Sequence, residues 1–350
     1  INITLIIRHL EISLKKIIFV QDISNAKLME FKKLIDRGAE LERMNEALHR
    51  EDTQFIVIYG RRRIGKSELI KRIVKARHKA IYFLSDTSSE TIQRVAFSKV
   101  AASVIDGFDK VIYPDWETLF RSFNNQLSER MLVCLDEFPY LVKSCDVLPS
   151  IIQKLLNEKI LKFDLVLCGS SQQLMHGYVL NRQSPLYGLA NEIIKMQPIP
   201  AQYMSMAMEC DAVQAVEEYA IWGGVPRYWE LRRDYPDKET AIRKVLLDPQ
   251  GPLIEEPQRL LRDDMRDTVQ ASTLLTIIGN GANKLSEIAN RAGKDSSTIS
   301  EPLSKLRELG YVSREVPFGE SPKKSKKGIY HINDSLLRFH YQFIVPYRSI

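Results

Sequence analysis

Residues 55–69, FIVIYGRRRIGKSEL, determine how the rest of the chain is interpreted. The first five residues are mostly apolar and predict a buried strand. Residues 60–67 then fit the pattern G-x-x-x-x-G-K-[ST] without a mismatch. Apolar residues at helical spacing follow, with Leu69, Ile70 and Ile73 on one face. A strand, a glycine-rich loop and a helix in this order predict a phosphate-binding loop.

The pattern also predicts what the residues of this loop do. Its two glycines give backbone angles that a side chain would forbid, and the loop amides would point at the β- and γ-phosphates of a nucleotide. Lys66 would lie between these phosphates, and the hydroxyl of Ser67 would bind Mg²⁺. The alternative is an ordinary glycine turn that carries a surface lysine. The predicted nucleotide-binding residues of the loop are Gly60, Arg61, Arg62, Arg63, Ile64, Gly65, Lys66, Ser67 and Glu68.

A second motif is residues 131–137, MLVCLDE, an apolar strand that ends in two acids. A continuous apolar run is typical of a parallel strand that is buried on both faces, and the carboxyl ends of such strands bind ligands. Asp136 would hold Mg²⁺, and Glu137 would take a proton from the attacking water or orient it. The alternative is a buried strand that ends in acids by composition alone.

A third motif is the end of residues 163–168, FDLVLC, where Gly169, Ser170 and Ser171 follow the strand. A hydroxyl beside the Mg²⁺ strand could reach the γ-phosphate or the attacking water, with Ser170 the first candidate and Ser171 the second. The alternative is that either serine caps the next helix. The predicted catalytic residues are Lys66, Asp136, Glu137 and Ser170.

The composition limits the classes of protein to which the chain can belong. A length of 350 residues fits two or three domains, and 44% hydrophobic and 27% charged residues are typical of soluble globular proteins. The sequence contains no 18-residue apolar run, so no membrane span is predicted. The four cysteines have neither zinc-ligand spacing nor disulfide density, which favours a cytoplasmic location. A net charge of +6 is only weak support for nucleic-acid binding.

The pattern of predicted elements divides the chain into four parts. Residues 1–33 form an N-terminal extension without an assigned function. Strands alternate with helices over residues 34–200, including a fifth strand at 192–199, and predict a parallel sheet covered on both faces. Residues 201–266 have helical spacing and predict a helical lid. Residues 267–350 predict three helices and a two-stranded hairpin, the order of a winged helix.

The winged helix suggests duplex DNA as a partner. Its third helix would face DNA with Ser297, Thr298, Ser300 and Lys305. The wing lysines would contact phosphates without reading the bases. They are Lys323, Lys324, Lys326 and Lys327. The alternative is a protein-binding or lid module with a solvated, charged hairpin.

The chain resembles the archaeal-type P-loop ATPases, which are close to the signal-transduction ATPases with numerous domains (STAND) and to origin-recognition initiators. The resemblance covers about residues 34–345. It rests on the phosphate loop, LDEFPYL at 135–141, CGSS at 168–171, SPLYG at 184–188, GGVPRY at 223–228 and the tail from 314 to 343. It implies an AAA+-like core, a helical lid and a winged helix, with ATP as ligand and Mg²⁺ as metal.

The resemblance also suggests roles for residues outside the loop. Arg37 and Glu40 match the R-x-x-E-L signature that opens the core, although Asp36 replaces the preceding glycine. Pro226, in the 222–228 turn, matches the nucleotide-sensing proline of the STAND G-x-P motif. A plain corner between two helices is the alternative for this turn.

One departure from the family pattern concerns the arginine that often follows SPLYG. Leu189 stands at this position. If that arginine stabilises the transition state, this protein would hydrolyse ATP slowly or borrow an arginine from a neighbour. Arg182 and Arg227 are the substitutes within the chain.

These patterns together predict an ATP-dependent molecular switch that couples its nucleotide state to DNA binding. Two alternatives stay open. One is a signalling scaffold that forms a homo-oligomer or binds a protein partner when ATP binds. The other is a DNA-binding regulator whose ATPase is vestigial.

Overall fold

The computed structural model of the protein describes residues 35–321, 325 and 327–347. The predicted N-terminal extension lies outside the described residues. So do three of the four predicted wing lysines, Lys323, Lys324 and Lys326.

A five-stranded, fully parallel sheet forms the core, in the order β2-β3-β4-β1-β5. The strands are β1 Phe55–Tyr59, β2 Ala80–Leu84, β3 Met131–Asp136, β4 Phe163–Gly169 and β5 Glu192–Lys195. The predicted parallel α/β core is confirmed. The fifth strand is shorter than the predicted 192–199, because it pairs with β1 alone and the chain then leaves the sheet.

Helices cover both faces of the sheet, and side chains alternate between two apolar clusters. Val133 and Leu135 of β3 point to one cluster, whereas Leu132 and Cys134 point to the other. The core helices are α1 Gly38–Leu48, α2 Lys66–Lys75, α3 Glu90–Ala101, α4 Trp116–Gln126, α5 Phe138–Ser144, α6 Leu148–Asn157 and α7 Gln172–Met175. Since the strands are parallel, the loops after β1, β3 and β4 meet at one edge of the sheet.

The predicted lid is helical. Its helices are α8 Met204–Met208, α9 Ala212–Trp222, α10 Pro226–Arg233 and α11 Lys238–Ala241. Gly224 lies between α9 and α10, against the backbone of Ile199. The Ile199 amide donates to the Gly224 carbonyl over 2.7 Å, and a Cβ on Gly224 would lie 2.1 Å from the Ile199 carbonyl oxygen. The glycine is therefore required by the close approach of the lid to the end of the core.

Replacing Gly224 with alanine is expected to destabilise the protein by about 1–3 kcal/mol, because its Cβ would overlap backbone atoms that have little room to move. Urea unfolding would measure the loss. Gly177→Ala is the matched control, since a Cβ there would meet nothing within 4 Å. Equal unfolding midpoints for the two variants would contradict the packing argument.

The C-terminal part contains three helices followed by an antiparallel hairpin, an arrangement compatible with a winged helix. Its elements are α13 Thr268–Gly279, α14 Leu285–Ala292, α15 Ser296–Glu308, β6 Val312–Glu315, β7 Ile329–Ile332 and α16 Ser335–Phe339. The preceding helix, α12 Glu256–Asp264, falls within the predicted lid of residues 201–266, but it contributes Leu260 and Leu261 to the same apolar cluster as these elements. We call α12 and the described residues from 265 onward the C-terminal module. No helix in the described ranges is both long and apolar enough to cross a membrane.

Candidate functional site

The loop between β1 and α2 needs both of its glycines. Gly60 has a φ of +151°, and a Cβ there would lie 2.5 Å from the Met196 carbonyl oxygen. Gly65 has a φ of +93° directly before the first residue of α2. The backbone can therefore fold tightly around the N-terminus of α2, which favours binding of an anion.

Lys66 is enclosed by this loop. Its side chain is buried, and Nζ donates to the carbonyl oxygens of Gly60 and Arg61 over 2.8 Å each. Burial lowers the pKa of Lys66 below its ordinary value. An ammonium group with so little water around it is well placed to neutralise a phosphate within the loop.

Replacing Lys66 with methionine is expected to raise the free energy of unfolding at neutral pH, because the fold no longer buries a charge. The pKa of Lys66 is lower in the folded state than its ordinary value of 10.5. The loss of stability caused by burying its charge is therefore complete below the folded-state pKa, and it fades as pH rises toward 10.5. The advantage of the methionine variant should therefore shrink at high pH. Urea unfolding at pH 7 and pH 10 measures it, with Lys75→Met on the exposed face of α2 as control. A pH-independent difference would contradict the argument.

Asp136 is fully buried at the end of β3, where three donors surround its carboxylate. Oδ2 accepts hydrogen bonds from the hydroxyls of Ser67 and Tyr82, both over 2.6 Å, and Oδ1 accepts the Glu137 amide over 2.9 Å. The described residues contain no cluster of three or more His, Cys, Asp or Glu side chains suited to a metal. One carboxylate and one hydroxyl nevertheless fit Mg²⁺, which takes its remaining ligands from phosphates and water.

Tyr82 was not singled out in the sequence. The pKa of Tyr82 is raised above its ordinary value, mainly by burial and secondly by its hydrogen bond to Asp136. The sequence shows only that β2 contains a tyrosine with a polar hydroxyl. The pairing of Tyr82 with Cys134 of β3 is what brings this hydroxyl close to Asp136.

Glu137 and Ser170 meet beside the loop, from the ends of β3 and β4. Oε2 of Glu137 accepts the Ser170 hydroxyl over 2.9 Å and the Ser170 amide over 3.3 Å. Glu137 has a left-handed φ of +54°, and the Ser85 hydroxyl lies 2.7 Å from its carbonyl oxygen. Ser171 instead receives the Leu174 amide at the start of α7, which is the capping role considered for it.

Glu137 and Ser170 border a cleft of about 510 Å³ between the core and the lid. Apolar side chains of Ile35, Ile199 and Trp229 form part of its wall. The predicted site residues that line it are Arg37, Arg62, Arg63, Ile64, Gly65, Lys66, Ser67, Glu68, Glu137, Ser170 and Pro226. Gly60, Arg61 and Asp136 do not line it. Asp136 lies behind Ser67, and the side chain of Arg61 points into the C-terminal module.

Arg37 is buried and positions the loop from outside. Its Nη2 donates to the carbonyl oxygens of Ile64 and Gln197 over 3.0 and 2.8 Å, and its Nη1 pairs with Glu40 at 3.1 Å. Ile64 belongs to the loop and Gln197 follows β5, so Arg37 joins the two segments. This contact gives a physical reason for an arginine at the start of the core.

The three positions considered for transition-state charge differ in location. Leu189 packs against the apolar cluster of the core, and Arg182 is exposed and does not border the cleft. Arg227 does line the cleft and pairs with Glu230 at 2.8 Å. Arg233, which was not considered in the sequence, also lines the cleft.

A family model described as an ATPase domain predominantly from Archaea matches residues 34–230. The chain belongs to this family. Another similar sequence is the uncharacterized protein MJECL04 of Methanocaldococcus jannaschii. It is 32% identical over 319 residues, which cover 89% of this chain and 69% of that protein. The resemblance to the archaeal-type ATPases is thus confirmed.

The fold of this ATPase-family chain is shared with a solved structure of the Aeropyrum pernix ORC2 protein in ADPNP–ADP complexes. The TM-score is 0.57 at 12% sequence identity, over 89% of this chain and 93% of that chain. At this identity the similarity is one of fold, and it confirms the predicted AAA+-like P-loop architecture.

Proposed function

We propose that this protein binds ATP with Mg²⁺ in the cleft and hydrolyses it as a molecular switch that controls DNA binding by the C-terminal module. The observation that carries the proposal is the convergence of three strand ends on one cleft. They bring together the loop lysine, the Asp136–Ser67 pair and the Glu137–Ser170 pair.

The residues divide the chemistry among them. Ser67 and Asp136 would hold Mg²⁺, which neutralises charge on the phosphates when bound. Lys66 and the loop amides would fix the β- and γ-phosphates. A water would attack the γ-phosphorus, the bond from that phosphorus to the β–γ bridging oxygen would break, and a water proton would pass to Glu137. Ser170 would orient the Glu137 carboxylate through the hydrogen bond that it already donates.

Nucleotide binding is supported by family membership and by the fold shared with a protein solved in ADPNP–ADP complexes. One feature supports DNA binding. Ser297, Thr298 and Ser300 are exposed on α15, as expected for a helix that enters a groove. Lys305 is half-buried in a groove that faces α7. For Lys305 to contact DNA together with the exposed hydroxyls of α15, the module would have to move away from α7.

Steady-state ATP hydrolysis, measured with and without duplex DNA at low salt and again at higher salt, tests the proposal. We expect turnover that requires Mg²⁺ and that changes when DNA is added, with the DNA effect lost at higher salt. Lys66→Ala is expected to abolish nucleotide binding. Nucleotide binding without turnover or a DNA effect would refute the switch. A mass increase on adding ATP would then favour the oligomeric scaffold.

A further inference from the structure

Three consecutive arginines of the phosphate loop each pair with an acid of the C-terminal module. The pairs are Arg61 with Asp334, Arg62 with Asp263 at 2.9 Å, and Arg63 with Glu256 at 2.9 Å. Two of the acids lie on α12 and the third precedes α16, so all three belong to one packed unit. The loop that encloses Lys66 is therefore also a docking surface.

The Arg61–Asp334 pair is buried, with 5% and 9% of the two side chains exposed. Arg61 also donates to the Tyr228 hydroxyl over 3.0 Å, and its guanidinium lies 5.6 Å from the Tyr228 ring and 5.9 Å from the Tyr311 ring. Tyr228 belongs to the lid and Tyr311 to the C-terminal module. Arg61 thus joins three parts of the protein and does not border the cleft.

Arg62 and Arg63 differ from Arg61 because both line the cleft while paired with their acids. Arg62 is 44% exposed and Arg63 is 31% exposed, so their side chains have room to change partner. Glu256 is 3% exposed, but it also accepts the Tyr228 hydroxyl over 3.0 Å and keeps this donor when Arg63 leaves. A phosphate in the cleft would present negative charge to the same two guanidinium groups. The guanidinium group of arginine binds both carboxylate and phosphate through paired N–H donors, so a phosphate can replace a carboxylate as its partner.

The tip of β4 makes a second set of docking contacts. The Ser171 hydroxyl donates to the Asp263 carbonyl over 2.8 Å, and the Gln172 amide donates to Oδ1 of Asp264 over 2.9 Å. Tyr311 donates to the other oxygen of Asp264 over 2.7 Å. Ser171 and Gln172 follow Ser170 directly, so the docked module lies against the same strand end as the candidate catalytic pair Glu137 and Ser170.

We propose that the loop arginines couple nucleotide binding to docking of the C-terminal module. Nucleotide phosphates draw Arg62 and Arg63 away from Asp263 and Glu256 and loosen the module, while the Arg61–Asp334 pair remains its anchor. This inference rests on the proposed nucleotide site but not on hydrolysis or DNA binding. Because coupling is reciprocal, removing the two acidic charges must strengthen nucleotide binding.

The test is the double variant Asp263→Asn with Glu256→Gln. Nucleotide affinity is measured with a fluorescent, non-hydrolysable ATP analogue. Docking is measured as the distance between spin labels on cysteines at Lys99 and Arg307, in a Cys210→Ser background. In the wild type, we expect the analogue to lengthen or broaden the distance distribution. In the double variant, we expect a Kd about 5- to 150-fold lower and a distribution already shifted without the analogue.

Two further variants keep the test sharp. Asp248→Asn with Glu255→Gln also removes two negative charges, from residues that pair with Lys244 and Arg259 and not with the loop arginines. This control should leave the Kd and the label distances unchanged. Asp263→Asn alone, at a partly exposed position, should shift the Kd in the same direction by a smaller factor even if the double variant unfolds.

The outcomes separate this inference from the proposed function. A wild type that does not bind the analogue overturns both. Binding without a distance change, and with an unaltered Kd in the variants, overturns only the coupling. A weaker affinity in the variants also overturns it, because the acids would then position the arginines for the nucleotide.

Discussion

Glu137→Gln is expected to lower the steady-state rate of ATP hydrolysis by about 100-fold or more while nucleotide affinity changes little. The amide keeps the size of the side chain and can still accept the Ser170 hydroxyl, so the geometry of the strand ends is preserved. It cannot accept a proton from water, and a positioned general base typically contributes at least about 100-fold. Phosphate release and titration with a fluorescent ATP analogue would measure the two quantities separately.

Glu230→Gln is the matched control, because Glu230 lines the same cleft but pairs with Arg227 on the lid. Its hydrolysis rate should stay close to that of the wild type. Turnover by Glu137→Gln at the wild-type rate would exclude Glu137 as the general base of the proposed mechanism.

Arg61→Gln is expected to destabilise the protein by about 3–5 kcal/mol, the usual cost of removing one partner from a buried ion pair. Asp334 would keep its charge with 9% of its side chain exposed, and the Tyr228 hydroxyl would lose a donor. Urea unfolding, monitored by tryptophan fluorescence, would measure the effect.

The neighbouring variant Arg62→Gln is an internal control for this prediction. The Arg62–Asp263 pair is 44% and 33% exposed, and exposed pairs contribute about 1 kcal/mol or less. The same substitution one residue along should therefore have a much smaller effect. Equal losses from the two variants would show that burial does not distinguish the pairs.

The core sheet was predictable because a parallel strand with both faces buried is a run of apolar residues. β1 and β3 are such runs, and β4 is one apart from Asp164. A glycine or an acid at the end of each run also located the phosphate loop, Asp136 and Ser170. β5 was less well predicted, since Ile194 is its one buried residue and its apolar pattern continues past the point where pairing stops.

The contacts of the loop arginines could not be predicted in the same way. Arg61 and Asp334 are 273 residues apart, and Arg62 and Asp263 are 201 apart. No local pattern links residues at such separations, and a basic residue inside a phosphate loop is naturally interpreted as a ligand of phosphate. Tyr82 and Ser85 were missed for a related reason, because their role depends on the pairing of β2 with β3.

The tip of β4 carries two adjacent hydroxyls that serve different parts of the molecule, with Ser170 on Glu137 and Ser171 on the backbone of Asp263. Inserting or deleting one residue there would move both contacts in the same step. The length of this tip is therefore constrained by two contacts at once. Designs that graft a different C-terminal module onto this core should therefore leave 169–172 unchanged and alter the acids that face it.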